Sequence, residues 1–306
     1  MMSTSIKNRS EIIFLYDIKD ANPNGDPLDE NKPRIDEETN TAMVSDVRLK
    51  RTIRDYLHDF KGHDIFIREV RNEDGKLKDK EDRLIDLKVL KPEDLLNSCI
   101  DIRLFGATAA IKDKSIILTG PVQFKIGHSL HKVKLMFMKG TTVMPSKKEK
   151  GQGTFTEQYL LPYALIGFSG IVNENAAEST MMTQEDLDVL LDGIWNGTKN
   201  LISRSKAGQL PRLLLNVIYA DKNYHIGDLT SAVSIRSDLA DEEIRDVQQY
   251  TLVIDNLVDL LTENAEKIKG VEFAHDKRLV CTYHGNKVDI EALLNAQKIT
   301  TSQLTF

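Results

Sequence analysis

The sequence predicts an α+β protein built on an antiparallel sheet. Three features carry this expectation: an Ile-, Phe- and Tyr-rich run near the start, two capped amphipathic helices, and further long apolar runs that complete the order β-α-β-β-α-β. The opening strand reads Glu11 to Lys19 and ends in the turn-forming run Asn22-Pro-Asn-Gly-Asp-Pro27. Ser45 offers an N-cap for a helix through His58, where Leu49, Ile53, Tyr56 and Leu57 form one apolar stripe. Residues 60–105 are charged and poorly periodic, with one short helical piece after Lys91-Pro92-Glu93, and read as an insertion. A second strand runs from Gly120 to His128 and continues after a kink as Val133 to Met138; a third spans Gln158 to Val172. Thr183-Gln-Glu-Asp186 has the form of a capping box that opens a helix through about Leu201, and Pro211 to Tyr219 suits a central strand. The resulting plan is the split βαβ, or ferredoxin-like, arrangement that RRM domains use. Right-handed crossovers place both helices on one face of the sheet and leave the other face for a ligand. A long helical region at about 241–269, a strand at Arg278 to Tyr283 and a helix at Asp289 to Gln297 are expected to pack around this core.

With 306 residues, 41% of them hydrophobic, the chain can bury one large core with insertions. No apolar run approaches the roughly 18 residues of a membrane helix, and the first residues lack the apolar centre of a signal peptide, so a cytoplasmic protein is expected. Cys99 and Cys281 are the only cysteines and belong to no CxxC or Cys/His cluster; both read as buried thiols. The net charge of −6 argues against a polyanion partner, but its distribution does not. Between His131 and Lys150 six lysines face one glutamate, whereas Asp238 to Asp276 holds eleven acids against three bases. Two faces of opposite sign are expected, unless both stretches are ordinary solvated surface.

The first helix carries Arg48, Lys50, Arg51 and Arg54 within seven residues, a row able to follow a phosphate backbone beside the amides and side chains of Asn22 and Asn24. The alternative is an amphipathic helix with a solvated basic face. The stretch from about Lys132 to Glu157 includes Lys134, Met136, Phe137, Met138 and Met144, and resembles a protruding β-hairpin whose apolar tip wedges between bases, or else a long disordered loop. His128 and His131 bracket Ser129 without a third ligand in sequence, which favours contact with a ligand or a structural role over metal binding. Arg204, Lys206 and Arg212 lie where a loop can reach across the sheet to phosphate. The acidic loop residues Asp26, Asp29, Asp36, Glu37 and Glu38 lack calcium-loop spacing. No Walker A loop, GxSxG elbow, Rossmann fingerprint or HExxH is present, so no cofactor, metal or enzymatic activity is expected.

Several phrases together resemble one family: Asn22-Pro-Asn-Gly-Asp-Pro27, Val44 through Arg54, Asp101-Ile-Arg-Leu-Phe-Gly106, Thr119-Gly-Pro-Val-Gln-Phe124, and Trp195-Asn-Gly-Thr198 with Arg204-Ser-Lys206. They are similar to the repeating backbone subunit of Cascade, the type I CRISPR surveillance complex, with the likeness closest to subtype I-B. The likeness covers about residues 11 to 220. It implies a hand-shaped member of the repeat-associated mysterious protein (RAMP) superfamily: an RRM-like palm (1–59, 106–131 and 158–306), a finger insertion (60–105) and a thumb hairpin (132–157). It implies a non-catalytic protein that polymerises along CRISPR RNA, meets other Cascade subunits, and reaches target DNA through guide pairing. Arg34, Ser45 and Arg103 join the residues named above as expected RNA contacts. The alternative it leaves is a RAMP-type endoribonuclease using His128 and His131, or an aspartate such as Asp26 or Asp46.

Overall fold

A computed structural model describes residues 5–111, 114–141 and 155–306 of the chain. The first strand, β1 (Ser10–Ala21), is buried along its first nine residues, which explains why its sequence is continuously apolar instead of alternating. Its even-numbered side chains (Ile12, Phe14, Tyr16, Ile18) enter one core and its odd-numbered ones (Ile13, Leu15) enter another, as the two-residue period of a strand demands.

Next come β2 (Thr41–Val44) and helix α1 (Asp46–Asp59), whose stripe Leu49, Ile53, Tyr56 and Leu57 is buried as expected. The insertion holds three helices, α2 (Lys80–Asp86), α3 (Pro92–Ser98) and α4 (Ile100–Phe105), two more than its sequence suggests. They surround their own small core of Phe66, Leu84, Val89, Leu95, Leu96, Cys99 and Ile102. A hairpin of β3 (Gly106–Ile111) and β4 (Lys114–Thr119) follows. Gly106 has φ +71°, and a Cβ there would come within 2.4 Å of the Gly120 nitrogen, so both glycines of the two flanking motifs are needed where the hairpin closes.

The expected strand from Gly120 to Met138 is three strands: β5 (Val122–Phe124), β6 (Gly127–Lys132) and β7 (Met136–Thr141). All three pair with the long β8 (Phe155–Val172). Then come α5 (Glu174–Thr180), α6 (Gln184–Lys199, with Thr183 and Asp186 forming its capping box) and β9 (Leu210–Tyr219). The sheet is completed by β10 (Ile268–His275) and β11 (Thr301–Gln303) after helix α7 (Asp255–Glu263) and with α8 (Ile290–Ala296) between them. Its order is β11-β10-β9-β1-β8-β6-β2, nine strands with β5 and β7 also on β8.

Helices α1 and α6 lie together on one face. Gly197 makes their close approach possible, because a Cβ there would lie 3.0 Å from that of Tyr56. The opposite face, expected to be free for a ligand, is mostly covered. Leu229, Val233, Ile244, Val247, Tyr250, Leu252, Leu257, Val258 and Leu261 pack on Ile13, Leu15, Leu213, Leu215 and Val217 there. The single long helix expected at 241–269 is also corrected. Thr251–Val253 is a strand in a second, four-stranded sheet with Ser234–Arg236, Cys281–Tyr283 and Asn286–Val288, and only Asp255–Glu263 is α-helical. The apolar pairing of Leu252 into the covering core outweighs the helical tendency of the flanking acids.

Candidate nucleic-acid interface

The cations of α1 separate into two classes once their partners are known. Lys50 is buried, with its ammonium 3.0 Å from Asp46 and 3.3 Å from the Gln123 amide oxygen. Arg54 donates from Nε to Asp101 at 3.0 Å and lies over the Phe105 ring. Asp101 is fully buried and also accepts the amides of Phe66 and Ile67, so this pair fastens the insertion to α1. Arg103, of the same motif, grips Asp186 at the start of α6 through two bonds of 2.9 and 2.7 Å. Arg212 is buried between Asp17 and Asp276. Each of these cations, an expected RNA contact, is paired with a carboxylate of the chain itself.

Ser129 and His131 are likewise engaged within the chain. The Ser129 hydroxyl accepts the Ala42 amide and donates to the His131 carbonyl. The His131 ring is buried; its Nε2 accepts the Leu165 amide at 3.2 Å while Nδ1 lies 2.9 Å from the Lys132 carbonyl, which makes Nδ1 the protonated nitrogen. Burial holds its pKa below the usual histidine value, so it stays neutral and structural.

The second class gathers at the N-terminus of α1. Asn24 Oδ1 accepts both the amide and the hydroxyl of Ser45, at 3.1 and 2.8 Å, and Ser45 in turn caps the helix through the Arg48 amide. Asn22 donates its side-chain amide to the Asn31 carbonyl and its main-chain amide to Ser205, which draws the 203–207 loop over the turn. Lys206 then reaches the Asn22 carbonyl at 2.9 Å. Arg48 is half-buried; among the described residues its guanidinium bonds only to Thr52, at 3.1 Å, and its Nε is buried without a partner. Burial, with Arg48 adding to it, pulls the Lys206 ammonium down to about 8, and burial lowers Arg48 as well. Two neighbouring cations half-removed from water, one of them with an Nε that has no partner among the described residues, are costly unless an anion completes them. Arg204, exposed on the same loop, lies next to this place in sequence.

The remaining expected contacts are at the surface. Arg51 is exposed and 3.5 Å from Asp55, and Arg34 is 3.2 Å from Asp26. His128, Lys132 and Lys134 are exposed, and Met144 lies outside the described residues. Strand β7 pairs with β8 from Met136↔Leu160 to Thr141↔Phe155, with Phe137 and Met138 about half exposed, and residues 142–154 of the expected hairpin lie outside the described residues. Sequence reasoning missed a groove of 560 Å³ between α1 and the insertion, where Arg68, Lys78, Lys80 and Arg83 join Arg51 and Arg54 against three acids. Its signal was absent because the insertion's charges show no period. Burial pushes both the Cys99 and Cys281 thiols up to about 12, so neither is a nucleophile at neutral pH. Among the described residues no group of three or more His, Cys, Asp or Glu side chains is placed to hold a metal, and no helix is long and apolar enough to cross a membrane.

These features define a class: α+β proteins with one dominant sheet and two half-buried cations, Arg48 and Lys206, at the start of the first helix. The chain belongs to the family of CRISPR-associated protein Cas7, whose family model matches residues 8–255. The protein of Haloferax volcanii described as "CRISPR-associated protein Cas7" is 34% identical over 303 residues, covering 89% of this chain and 88% of that one. Two solved structures share the fold. A chain of a "CRISPR RNA-guided surveillance complex, pre-nicking" has TM-score 0.58 at 12% identity, covering 97% of this chain and 96% of its own. A chain of another "CRISPR RNA-guided surveillance complex" has TM-score 0.53 at 17% identity, with 94% and 97% covered.

Proposed function

We propose that this chain is the non-catalytic, RNA-binding backbone subunit of a type I CRISPR RNA-guided surveillance complex, closest to subtype I-B and working in the cytoplasm. Copies line up along the CRISPR RNA, contact other subunits, and leave recognition of target DNA to guide pairing. The observation that carries this reading is the Arg48–Lys206 site, where two half-buried cations lie together and the Arg48 Nε has no hydrogen-bond partner among the described residues. Such a site fits one backbone phosphate per copy and reads no base. The family and the titles of the two structural neighbours supply the kind of complex. In this reading the β9-β1-β8-β5/β6 portion with α1 and α6 is an RRM-like palm, residues 60–105 are the finger, and 132–157 are the thumb.

The endoribonuclease alternative has less support. His131 is buried with both ring nitrogens engaged, so it cannot work with His128. Asp26 and Asp46 are held by Arg34 and Lys50. Mass measurement of the protein with RNAs of increasing length tests the proposal: bound copies should rise in steps with RNA length, and a fixed single copy would refute it. With magnesium added the RNA should stay intact. Cleavage products lost on Asp26→Ala would establish the alternative.

Lys206 makes binding pH-dependent. Its folded pKa lies below the value near 10.5 of an ordinary lysine, so the unfolded chain holds more protons between the two. The free protein therefore gains stability from about pH 8 upward, while phosphate affinity, which needs the charge, falls over the same span. Anisotropy titrations from pH 7 to 9.5 should show a decline of up to about tenfold per unit above pH 8. Lys206→Arg should flatten it, and an unchanged profile in that variant would remove Lys206 from the interface.

A further inference from the structure

Lys206 is set apart from other lysines by what its nitrogen touches. Lys32 and Lys61 are held protonated by Asp29 and Asp192, which raise their pKa values. Lys206 has no carboxylate partner among the described residues; its nitrogen lies 2.9 Å from the Asn22 carbonyl and 3.5 Å from that of Pro23. Burial, with Arg48 nearby, moves its pKa the other way, down to about 8. A lysine desolvated next to a second cation keeps part of its amine neutral and nucleophilic near neutral pH, and the Asn22 carbonyl fixes where that nitrogen stands. Arg48 supplies the other half of a reaction site. One of its terminal nitrogens, Nη2, donates to Thr52 at 3.1 Å, and the other, Nη1, takes no partner among the described residues and remains for a phosphate oxygen. A phosphate held by Arg48 brings whatever group it carries beside the Lys206 amine.

We propose that Lys206 is a site of acylation by acyl phosphates, seated through Arg48, and that the modification switches strand binding off. The Lys206 nitrogen attacks the acyl carbon and an amide C–N bond forms. The C–O bond to phosphorus's oxygen breaks, inorganic phosphate leaves with the electron pair, and the amine's proton passes to water. The product has lost the positive charge that a backbone phosphate needs. The acylation itself goes beyond the RNA-binding reading above; only its effect on the strand rests on that reading.

Acetyl phosphate added to the unaltered protein, with each lysine followed by peptide mass mapping, tests it. At pH 8 Lys206 should be acetylated about tenfold faster than an ordinary lysine, for which the exposed Lys222, Lys277 and Lys287 serve as references. Its rate should level off above about pH 8, whereas an ordinary lysine keeps gaining neutral amine to about pH 10. Arg48→Ala should remove most of the lead. Equal rates at Lys206 and the reference lysines in the unaltered protein, or a full lead in Arg48→Ala, would overturn the proposal. Single-stranded RNA should protect Lys206 alone, and protein acetylated there should bind RNA as weakly as Lys206→Ala. Undiminished affinity after acetylation would overturn the switch. Failure of the unaltered protein to bind RNA would overturn the RNA-binding reading and the switch with it, while the rates would still establish or refute the acylation.

Discussion

Replacing Arg54 by alanine is expected to lower the stability of the protein by about 3 kcal/mol, the usual cost of stranding one member of a buried ion pair. The reason is Asp101, fully buried and held between the Arg54 guanidinium and the Phe66 and Ile67 amides. Without Arg54 its charge keeps two amide donors and loses its counter-ion. Arg54 also covers the Phe105 ring, so some packing is lost with the charge. Denaturant unfolding checks the magnitude. Asp101→Asn in the Arg54→Ala background should recover part of the loss, since the stranded charge is then gone. RNA binding by Arg54→Ala, measured well below its unfolding range, should keep the salt dependence of the unaltered protein.

The opposite pattern is expected for Arg48→Ala/Lys206→Ala. Among the described residues neither cation is ion-paired with a carboxylate, and relieving two crowded, half-buried charges should hold stability level or raise it slightly. Affinity for single-stranded RNA should fall by about a hundredfold, or about 3 kcal/mol, from two lost charge-assisted contacts of roughly 1.5 kcal/mol each. Binding titrations and unfolding curves on the same preparation separate the two effects.

The contrast between these variants also marks how far the sequence could be read. The apolar stripe of α1, its Ser45 cap, the Thr183–Asp186 capping box and the continuous apolar runs of β1, β8 and β9 were legible, because each follows from residues a few positions apart. The basic face of α1 was legible as a face. Which cations were free was not: apart from the local Asp46–Lys50 pair, the acids that neutralise Arg54 on α1, Arg103 on α4 and Arg212 on β9 lie 47, 83 and 64 residues away along the chain. Periodicity carries no information about such partners. The 241–269 stretch failed for a related reason: its acids hide the short strand Thr251–Val253, whose place depends on pairing with Ser234–Arg236 and Cys281–Tyr283. Covering of the second sheet face by the C-terminal residues could be anticipated only as packing around the core, without the face it would occupy.

The salt dependence of RNA affinity tests the central distinction most directly, by comparing Arg48→Ala/Lys206→Ala with Lys50→Ala/Arg54→Ala. Plots of log affinity against log salt should lose about 1.4 units of slope in the first, at roughly 0.7 per phosphate contact on a single strand, and none in the second. A full slope in the first variant, or a loss confined to the second, would contradict the assignment of the strand to the unpaired cations at the start of α1.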